Sequence, residues 1–323
     1  MLNSEGKGSI NRDFLAGIII SSLLFIFPAA FPRLSSFLFF LLPLPIIFYY
    51  SKLGRALGIV VVLTTLVASV FASASLGRTE ISPLLCLLGF LGVIIAEVLR
   101  KRLSIEKAIL SSIVALMIPG LILISFSILR TGEAPWQSGE VYLANAILEN
   151  AKTYSEMGFP PEQVNQIKDN AKQIAATLIN ILPALVLVNI AFCVWLNLLA
   201  ARTTFHRQRL YFPDFGDLSR WKSPDKLVWL VIVSGGMLLI PDERVFYAAL
   251  NALIICFFIY LLQGLAIISF FFRKKNIPVI LRTIFYVLLA FQPIFTLLVI
   301  AVGLFDLWLD FRKFNVTMDG SAA

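Results

Sequence analysis

The chain has 323 residues, of which 59% are hydrophobic, and its formal net charge is +8. Soluble globular domains carry about 45–50% apolar residues, so this composition excludes a soluble protein and indicates an integral membrane protein. The basic residues stand in short segments between apolar runs, where they orient membrane helices, and they therefore do not indicate a nucleic-acid-binding protein.

Continuous apolar runs follow one another along almost the whole chain. Most of them approach or exceed the roughly 20 residues that a helix needs to cross a bilayer, and they do not alternate as the strands of a membrane barrel would. The sequence therefore predicts an all-α fold, a polytopic bundle of transmembrane helices with about nine spans. The predicted spans are 14–31, 34–50, 56–76, 81–99, 108–129, 174–201, 227–241, 245–272 and 279–305.

The distribution of Lys and Arg predicts an orientation for these spans. When the N-terminus is placed in the cytoplasm and the spans alternate, the inner segments carry most of the basic residues. This pattern is typical of a multi-pass protein of the bacterial inner (plasma) membrane. The odd number of spans then places the C-terminal segment, with Asp306 and Arg312, on the outer side.

Two parts of the chain are predicted from the order of spans and loops. Residues 1–201 form a six-span membrane core that includes an outer loop at 131–172, and residues 202–323 form an inner loop followed by a three-span extension. Within the outer loop apolar residues recur at helical spacing, Gly158 marks a helix stop, and Pro161 marks the first turn of a second helix. The loop is predicted to be an amphipathic helical hairpin, which either lies on the outer leaflet or covers an outward-facing pocket.

The inner loop at 202–226 combines basic and aromatic residues. Anionic lipid headgroups attract Lys and Arg close to the membrane, and aromatic rings favour the membrane–water interface. Arg207, Arg209 and Trp221 are therefore predicted to form a surface for anionic lipids or for a cytoplasmic protein partner.

Amide side chains interrupt several of the apolar spans. In a bilayer such groups hydrogen-bond neighbouring helices, or they contact a ligand in a pocket between helices, and both interpretations stay open at this point. The amides are Asn180, Asn189, Asn197, Asn251, Gln263 and Gln292.

A ligand site is predicted from polarity and depth. Pro119 and Gly120 predict a break in the fifth span, and broken helices expose backbone groups that transporters use to bind solutes. Trp136 in the outer loop, with Asn180 and Asn189 in the sixth span, completes the candidate set of ligand contacts.

The signatures of enzymes and of cofactor sites are missing from the sequence. It contains no HExxH, GxSxG, Walker or CxxC pattern, so we predict no catalytic residue, no metal site, no cofactor and no enzymatic activity. Among the charged residues, Glu97 is predicted to pair with Lys101 one helical turn later, and no acidic residue is expected at mid-membrane depth.

Short motifs in the second half of the chain, together with an N-terminal leucine–proline run, carry a resemblance to a known family. The motifs are Leu41-Leu42-Pro43-Leu44-Pro45, Trp221, Pro224-Asp225, Trp229, Gln263-Gly264-Leu265-Ala266, Gly303-Leu304-Phe305-Asp306 and Asp310-Phe311-Arg312. In this order they resemble the YybS-like family of uncharacterised bacterial membrane proteins. That family supplies no established site residue.

The first six spans are also similar to the substrate-binding S components of energy-coupling factor transporters. Those subunits are six-helix binders of vitamins or metal ions with both termini inside the cell. The likeness implies an S-component-like six-helix core in residues 1–201. Two departures are that Gly17 and Ser21 stand where those subunits often carry an alanine pair, and that three further spans follow.

Two functions follow as hypotheses. The first is a transport-related protein that binds a small-molecule ligand and works with an energising protein partner, because the chain has no ATPase motif of its own. The second is a membrane scaffold or regulatory partner that binds no solute. In both cases the lipid bilayer is the surrounding medium, and no nucleic acid is expected as a partner.

Overall fold

The chain is helical wherever it forms regular structure in the described part. The computed structural model describes residues 2–312 apart from 33, 36, 37, 102, 133 and 134. The α-helices are α1 (Leu2–Ala30), α2 (Pro43–Ser75), α3 (Ser82–Arg100), α4 (Ile105–Thr131), α5 (Pro135–Glu156), α6 (Pro161–Asp169), α7 (Ala171–Arg207), α8 (Leu227–Met237), α9 (Glu243–Lys274), α10 (Val279–Phe291) and α11 (Pro293–Leu309). The predicted all-α, polytopic helical fold is thereby confirmed.

The number of spans is lower than predicted. Within the described residues six helical stretches are long and apolar enough to cross a membrane, or seven if α10 and α11 count as one broken span. Three predictions account for the difference. The spans expected at 34–50 and 56–76 fall in one stretch, Leu38–Ser75; the span at 227–241 has a helix of only 11 residues; and the span at 279–305 bends by 105°.

Two compact units divide the described chain. The first, the N-terminal unit, consists of Met1–Gly132 and Asn189–Phe215, and the second, the C-terminal unit, consists of Glu133–Val188 and Gly216–Ala323. The predicted division after residue 201 follows the order of spans along the chain and stays a prediction.

In the N-terminal unit α2 reverses direction at Gly54. This glycine has φ 81° and ψ 176°, a combination that is open to glycine and strained for other residues. A Cβ atom added at Gly58 would lie 2.9 Å from Cα of Tyr50, although eight residues of straight helix span about 12 Å. The arms 43–53 and 55–75 therefore form a tight helical hairpin, and only the second arm is long enough to cross a bilayer.

Glu97 of α3 joins this hairpin. Its carboxylate accepts hydrogen bonds from Oη of Tyr50 at 2.8 Å and from Nε of Arg55 at 2.8 Å, and Nη1 of Arg100 lies 3.5 Å away. The predicted pairing of Glu97 with Lys101 is therefore wrong. The pairing with Arg55 was not predictable from local sequence spacing, because Arg55 lies 42 residues away from Glu97 along the chain.

Further polar contacts join α1 to α2 near Gly54 and to the chain that follows α2. Lys52, two residues before the hairpin turn, forms an ion pair with Asp13 of α1 at 2.9 Å. Arg78, after the end of α2, donates to the carbonyl oxygen of Ala29 at 3.0 Å. The basic segments around residues 52 and 100 thus meet at one end of the unit, which is the clustering that the alternating topology predicts.

The short arm of α2 starts inside the helical bundle. Its first residue, Pro43, lies against Gly92 at the middle of α3. The first N–H groups of a helix have no partner within the helix, and Pro43 and Pro45 have no N–H to leave unpaired. The carbonyl oxygen of Phe40, just before the arm, accepts from Nδ2 of Asn197 at 2.6 Å. The two prolines and this amide thereby reduce the number of unpaired backbone groups at the start of the arm.

In the C-terminal unit two helices form within the predicted outer loop, and its placement on the outer side of the membrane stays a prediction. Helices α5 and α6 form where the periodicity indicates them, Gly158 lies between them with φ 83°, and Pro161 opens α6. Ala151 and Val164 are buried on the inner faces of the two helices.

Asn251 of α9 inserts its amide into the backbone ladder of α7. Its Nδ2 donates to the carbonyl oxygen of Asn180 at 2.8 Å, and its Oδ1 accepts from the N–H of Ala184 at 2.9 Å. These two backbone groups pair with each other in an unbroken helix. The insertion lies beside Pro183, where the ladder is already one donor short.

Candidate functional site: a buried polar network in the C-terminal unit

The site begins with an unusually close approach of α9 and α11. A Cβ atom at Gly264 would lie 2.1 Å from the carbonyl oxygen of Val299, and one at Gly303 would lie 2.0 Å from that of Tyr260. Only glycine permits this separation, which is the type of small-residue contact that brings membrane helices together.

Three polar side chains meet beside the glycine contact. Asp306 of α11 forms an ion pair with Arg312, with 2.8 Å between Oδ2 and Nη2, and both side chains are almost completely buried. Nε2 of Gln263 donates to the same carboxylate oxygen at 3.1 Å, and the N–H of Phe311 donates to Oδ1 at 3.1 Å. Each carboxylate oxygen of Asp306 therefore has a donor, as a buried charge requires.

Arg312 and Gln263 also hold the segment that precedes α8, which contains one 3₁₀ turn at Leu218–Arg220 and is otherwise irregular. Nη1 of Arg312 donates to the carbonyl oxygens of Ser219 at 3.1 Å and of Trp221 at 2.9 Å. Oε1 of Gln263 accepts from both the N–H and the hydroxyl of Ser223, at 3.1 Å and 2.5 Å. Backbone polar groups without helical partners are thus satisfied by side chains from α9 and from the C-terminal segment.

A second ion pair fixes the start of the same segment. Arg273, in the last turn of α9, bonds to the carboxylate of Asp217 and to the hydroxyl of Ser219. Desolvation alone would raise the pKa of Asp217, but the hydrogen bonds from Ser219 and the charge of Arg273 outweigh it and lower the pKa below its usual value. We call the residues from Asp217 to Ser223, with their partners Gln263, Arg273, Asp306 and Arg312, the polar network.

The polar network corrects two expectations from the sequence. Arg312 contacts Ser219 and Trp221, so residues 219–221 lie beside the C-terminal segment, which the nine-span prediction had placed on the other side of the bilayer. Asp306 is 2% exposed and bonds to Gln263, which stands about 16 Å from the end of α9, so an acidic residue is buried between these helices although the sequence indicated none.

The residues of the polar network were visible in the sequence as motifs but not as a site. Gln263, Asp306, Arg312 and Trp221 belong to the short motifs that carry the family resemblance. They are far apart along the chain, and none has a spacing that indicates a known chemistry. Their joint occurrence in those motifs was the one available signal.

A small apolar cavity borders the network. It has a volume of about 350 Å³ and lies between α8 and α11, with Trp229 and Trp308 among its lining residues and Asp225 and Lys226 at its edge. Its lining is almost entirely apolar, so it suits an apolar group better than a charged solute.

The predicted ligand residues are divided between the two units. Pro119, Gly120 and Asn189 belong to the N-terminal unit, and Trp136 and Asn180 to the C-terminal unit. Helix α4 runs through Pro119 and Gly120 without interruption, so the predicted helix break is wrong.

The side chain of Trp136 is 54% exposed, and Asn180 and Asn189 are also exposed. No ligand candidate lines the apolar cavity or the groove described next, and the ligand assignment stays a prediction. For Asn197, Asn251 and Gln263, the interpretation as interhelical hydrogen-bonding amides is confirmed.

The predicted lipid or partner surface includes a groove. Arg207 lines a cavity of about 560 Å³ in the N-terminal unit, formed by residues 202, 203, 206 and 207 of α7 and residues 210 and 212–214 of the following chain. We call it the basic groove. Arg209 is in the left-handed backbone conformation with φ 53° and is not among its lining residues, and Trp221 belongs to the polar network through its carbonyl oxygen.

Among the residues that the structure describes, no group of three or more His, Cys, Asp or Glu side chains could hold a metal ion.

The fold defines the class of protein as a multi-pass α-helical membrane protein. The chain belongs to the family described as predicted membrane protein (DUF2232), whose profile matches residues 19–307. The expectation of an uncharacterised membrane family is thereby confirmed, whereas the YybS-like name and the likeness to S components stay predictions. No curated protein and no solved structure matches the chain.

Proposed function

We propose that this protein is a transport-related component of the bacterial inner membrane, with its N-terminus in the cytoplasm. In this proposal it binds a small solute and works with partner subunits that supply the energy. The observation that carries the proposal is the presence of discontinuous membrane helices supported by buried polar side chains.

Three interrupted helices support this view. The short arm of α2 starts at mid-bundle, α8 has only 11 residues and follows a largely irregular segment, and α10 and α11 meet at a bend of 105°. Helix interruptions of this type form the solute and ion sites of many transporters, because they free backbone groups for binding. In addition, the Asp306–Arg312 pair is buried beside the membrane helices α9 and α11, and ionisable residues buried among such helices are costly and are usually functional.

The basic groove favours the second candidate function, a scaffold that binds a cytoplasmic partner. Its arginines stand at the end of α7, where a soluble protein could reach them. Replacing Arg207, which lines the groove, and Arg209, which lies beside it in the chain but outside the lining, with alanine would then abolish recruitment of the partner, and unchanged recruitment would exclude this surface.

Native mass spectrometry of the protein purified from its host membrane in mild detergent tests the transport proposal. The wild type is compared with a variant carrying Asn180→Leu and Asn189→Leu, and with Gln173→Leu as a control for an exposed amide on the same helix. A reproducible small mass that is lost only from the double variant, or co-purifying ATPase subunits, supports the proposal.

The opposite results are equally informative. A retained small mass in the double variant means that the two asparagines are not ligand contacts. A protein that carries no solute and co-purifies only with a non-transport partner contradicts transport and supports the scaffold.

A further inference from the structure

We propose that the basic groove binds the phosphate of an anionic phospholipid headgroup. This inference is independent of the proposed solute transport, because it concerns the end of α7 and uses none of the candidate solute contacts. It rests on the placement of the groove, on its charge, and on the way in which the helix end is capped.

The position of the groove along α7 is the first argument. The apolar run of α7 ends at Ala201, and the groove residues Arg202, Thr203, His206 and Arg207 follow immediately. Residues four apart lie above one another on a helix, so these four side chains form two adjacent rows on one face. A helix that leaves the hydrocarbon at residue 201 places this face at the level of the lipid headgroups.

The charge of the groove is the second argument. No acidic residue occurs from residue 170 to residue 213, and Asp214 is the one acidic residue that lines the groove, against Arg202 and Arg207. All four α7 side chains are exposed and accessible to a ligand. Guanidinium groups bind phosphate oxygens through paired, charge-assisted hydrogen bonds, and a nearby hydroxyl adds a further donor.

Helix capping is the usual structural role of basic residues in the last turn, and the backbone already fulfils it here. The N–H groups of residues 208, 209 and 210 donate to the carbonyl oxygens of residues 204, 206 and 205, at 3.2, 3.3 and 3.0 Å. Arg209 enables these bonds by adopting φ 53°. The side chains of Arg202 and Arg207 are therefore not required as caps for these carbonyls.

Aromatic packing gives the groove a defined shape. Buried Phe205 of α7 packs edge-to-face against Phe48 and Phe212, with ring centroids 6.0 and 5.7 Å apart, and Phe212 packs in the same way against Phe215. These contacts hold the chain after α7 against the helix and leave the basic residues on the open side. The volume of about 560 Å³ lies in the range of small-molecule sites.

Lipid binding to the purified full chain tests the proposal. The protein is titrated with phosphatidylglycerol or with phosphatidylcholine in mixed micelles, and bound lipid is counted by native mass spectrometry. The test variant carries Arg202→Gln and Arg207→Gln, and the matched control carries Lys101→Gln and Lys107→Gln, which removes the same charge from exposed positions outside the groove.

We expect the wild type and the lysine control to bind phosphatidylglycerol equally and to prefer it to phosphatidylcholine. The arginine variant should bind it about tenfold more weakly or worse, because two charge-assisted contacts are lost. Equal losses in both variants would show that binding reflects general surface charge, and no preference for phosphatidylglycerol would also overturn the proposal.

Inorganic phosphate distinguishes a lipid from a soluble phosphate ligand. If excess phosphate displaces phosphatidylglycerol and raises the thermal midpoint by itself, the ligand is a soluble phosphate compound and the lipid assignment is overturned. If the glutamine variant does not fold, the pair Arg202→Lys and Arg207→Lys decides the question. Lysine keeps the charge but cannot bind in a bidentate manner, so reduced binding supports the proposal and unchanged binding refutes it.

Discussion

Replacing Gly303 with alanine is predicted to disrupt the contact between α9 and α11. The new Cβ atom would lie 2.0 Å from the carbonyl oxygen of Tyr260, whereas ordinary van der Waals contact begins at 3.4 Å. A backbone carbonyl in a helix cannot rotate away, so α11 must move by more than 1 Å. The hydrogen bond from Gln263 to Asp306, now 3.1 Å long, would then exceed bonding distance.

The magnitude follows from these two losses. Overpacking costs about 1–3 kcal/mol, and loss of a hydrogen bond to a charged group costs about 1.5–3 kcal/mol. The better helix propensity of alanine returns about 1 kcal/mol, so the net loss is about 1.5–5 kcal/mol. Each kcal/mol lowers the thermal midpoint of a domain of this size by about 2–4 °C.

Thermal unfolding in mild detergent, followed by tryptophan fluorescence, measures this effect. Trp221, Trp229 and Trp308 all lie at the polar network or at the adjacent cavity, so the signal reports on the affected region. The control is Gly120→Ala, at a helical glycine with no atom within 4 Å of the new Cβ. Equal midpoints for the two variants would refute the close approach of α9 and α11.

Four further predictions concern other polar contacts. Asn251→Leu should lower the thermal midpoint by several degrees, because two backbone groups of α7 lose their partner, and an unchanged midpoint would contradict the insertion. In a double-mutant cycle, Asp306→Leu and Arg312→Met should each cost about 3–5 kcal/mol but clearly less than the sum when combined, whereas additive losses would argue against the ion pair. Arg209→Gly should raise stability by about 1 kcal/mol, since glycine adopts φ 53° without strain, and a lowered midpoint would exclude this account. The lowered pKa of Asp217 means that its carboxylate stabilises the fold above the unfolded-state pKa of about 3.9, and this contribution is lost as the pH falls through the folded-state pKa. The difference in thermal midpoint between wild type and Asp217→Asn should therefore stay constant from pH 7 to about pH 4. It should shrink below pH 4.

The helices of the outer loop were predicted correctly from the sequence, whereas the burial of Asp306 was not. The helices of the outer loop were predictable because periodicity, Gly158 and Pro161 act within a few residues of the chain. Asp306 was predicted at the outer end of the last span, because its neighbours Asp310 and Arg312 are polar and because an odd number of spans places the C-terminal segment on the outer side. The structure buries it, because Arg312 and Gln263 reach it from outside its own helical turn.

The sequence by itself determined that this protein lies in a membrane, that its fold is helical, and where most of its helices lie along the chain. Hydrophobicity and helical periodicity are local properties, and a bilayer imposes helix formation on any long apolar run. Only the tertiary structure decided that α2 folds back at Gly54, that Glu97 binds Arg55, and that the polar network forms around Asp306. The bond of Glu97 to Arg55 and that of Gln263 to Asp306 join residues more than 40 positions apart, and such contacts are set by packing rather than by local pattern. The reversal at Gly54 depends on one backbone conformation that the surrounding apolar run does not indicate.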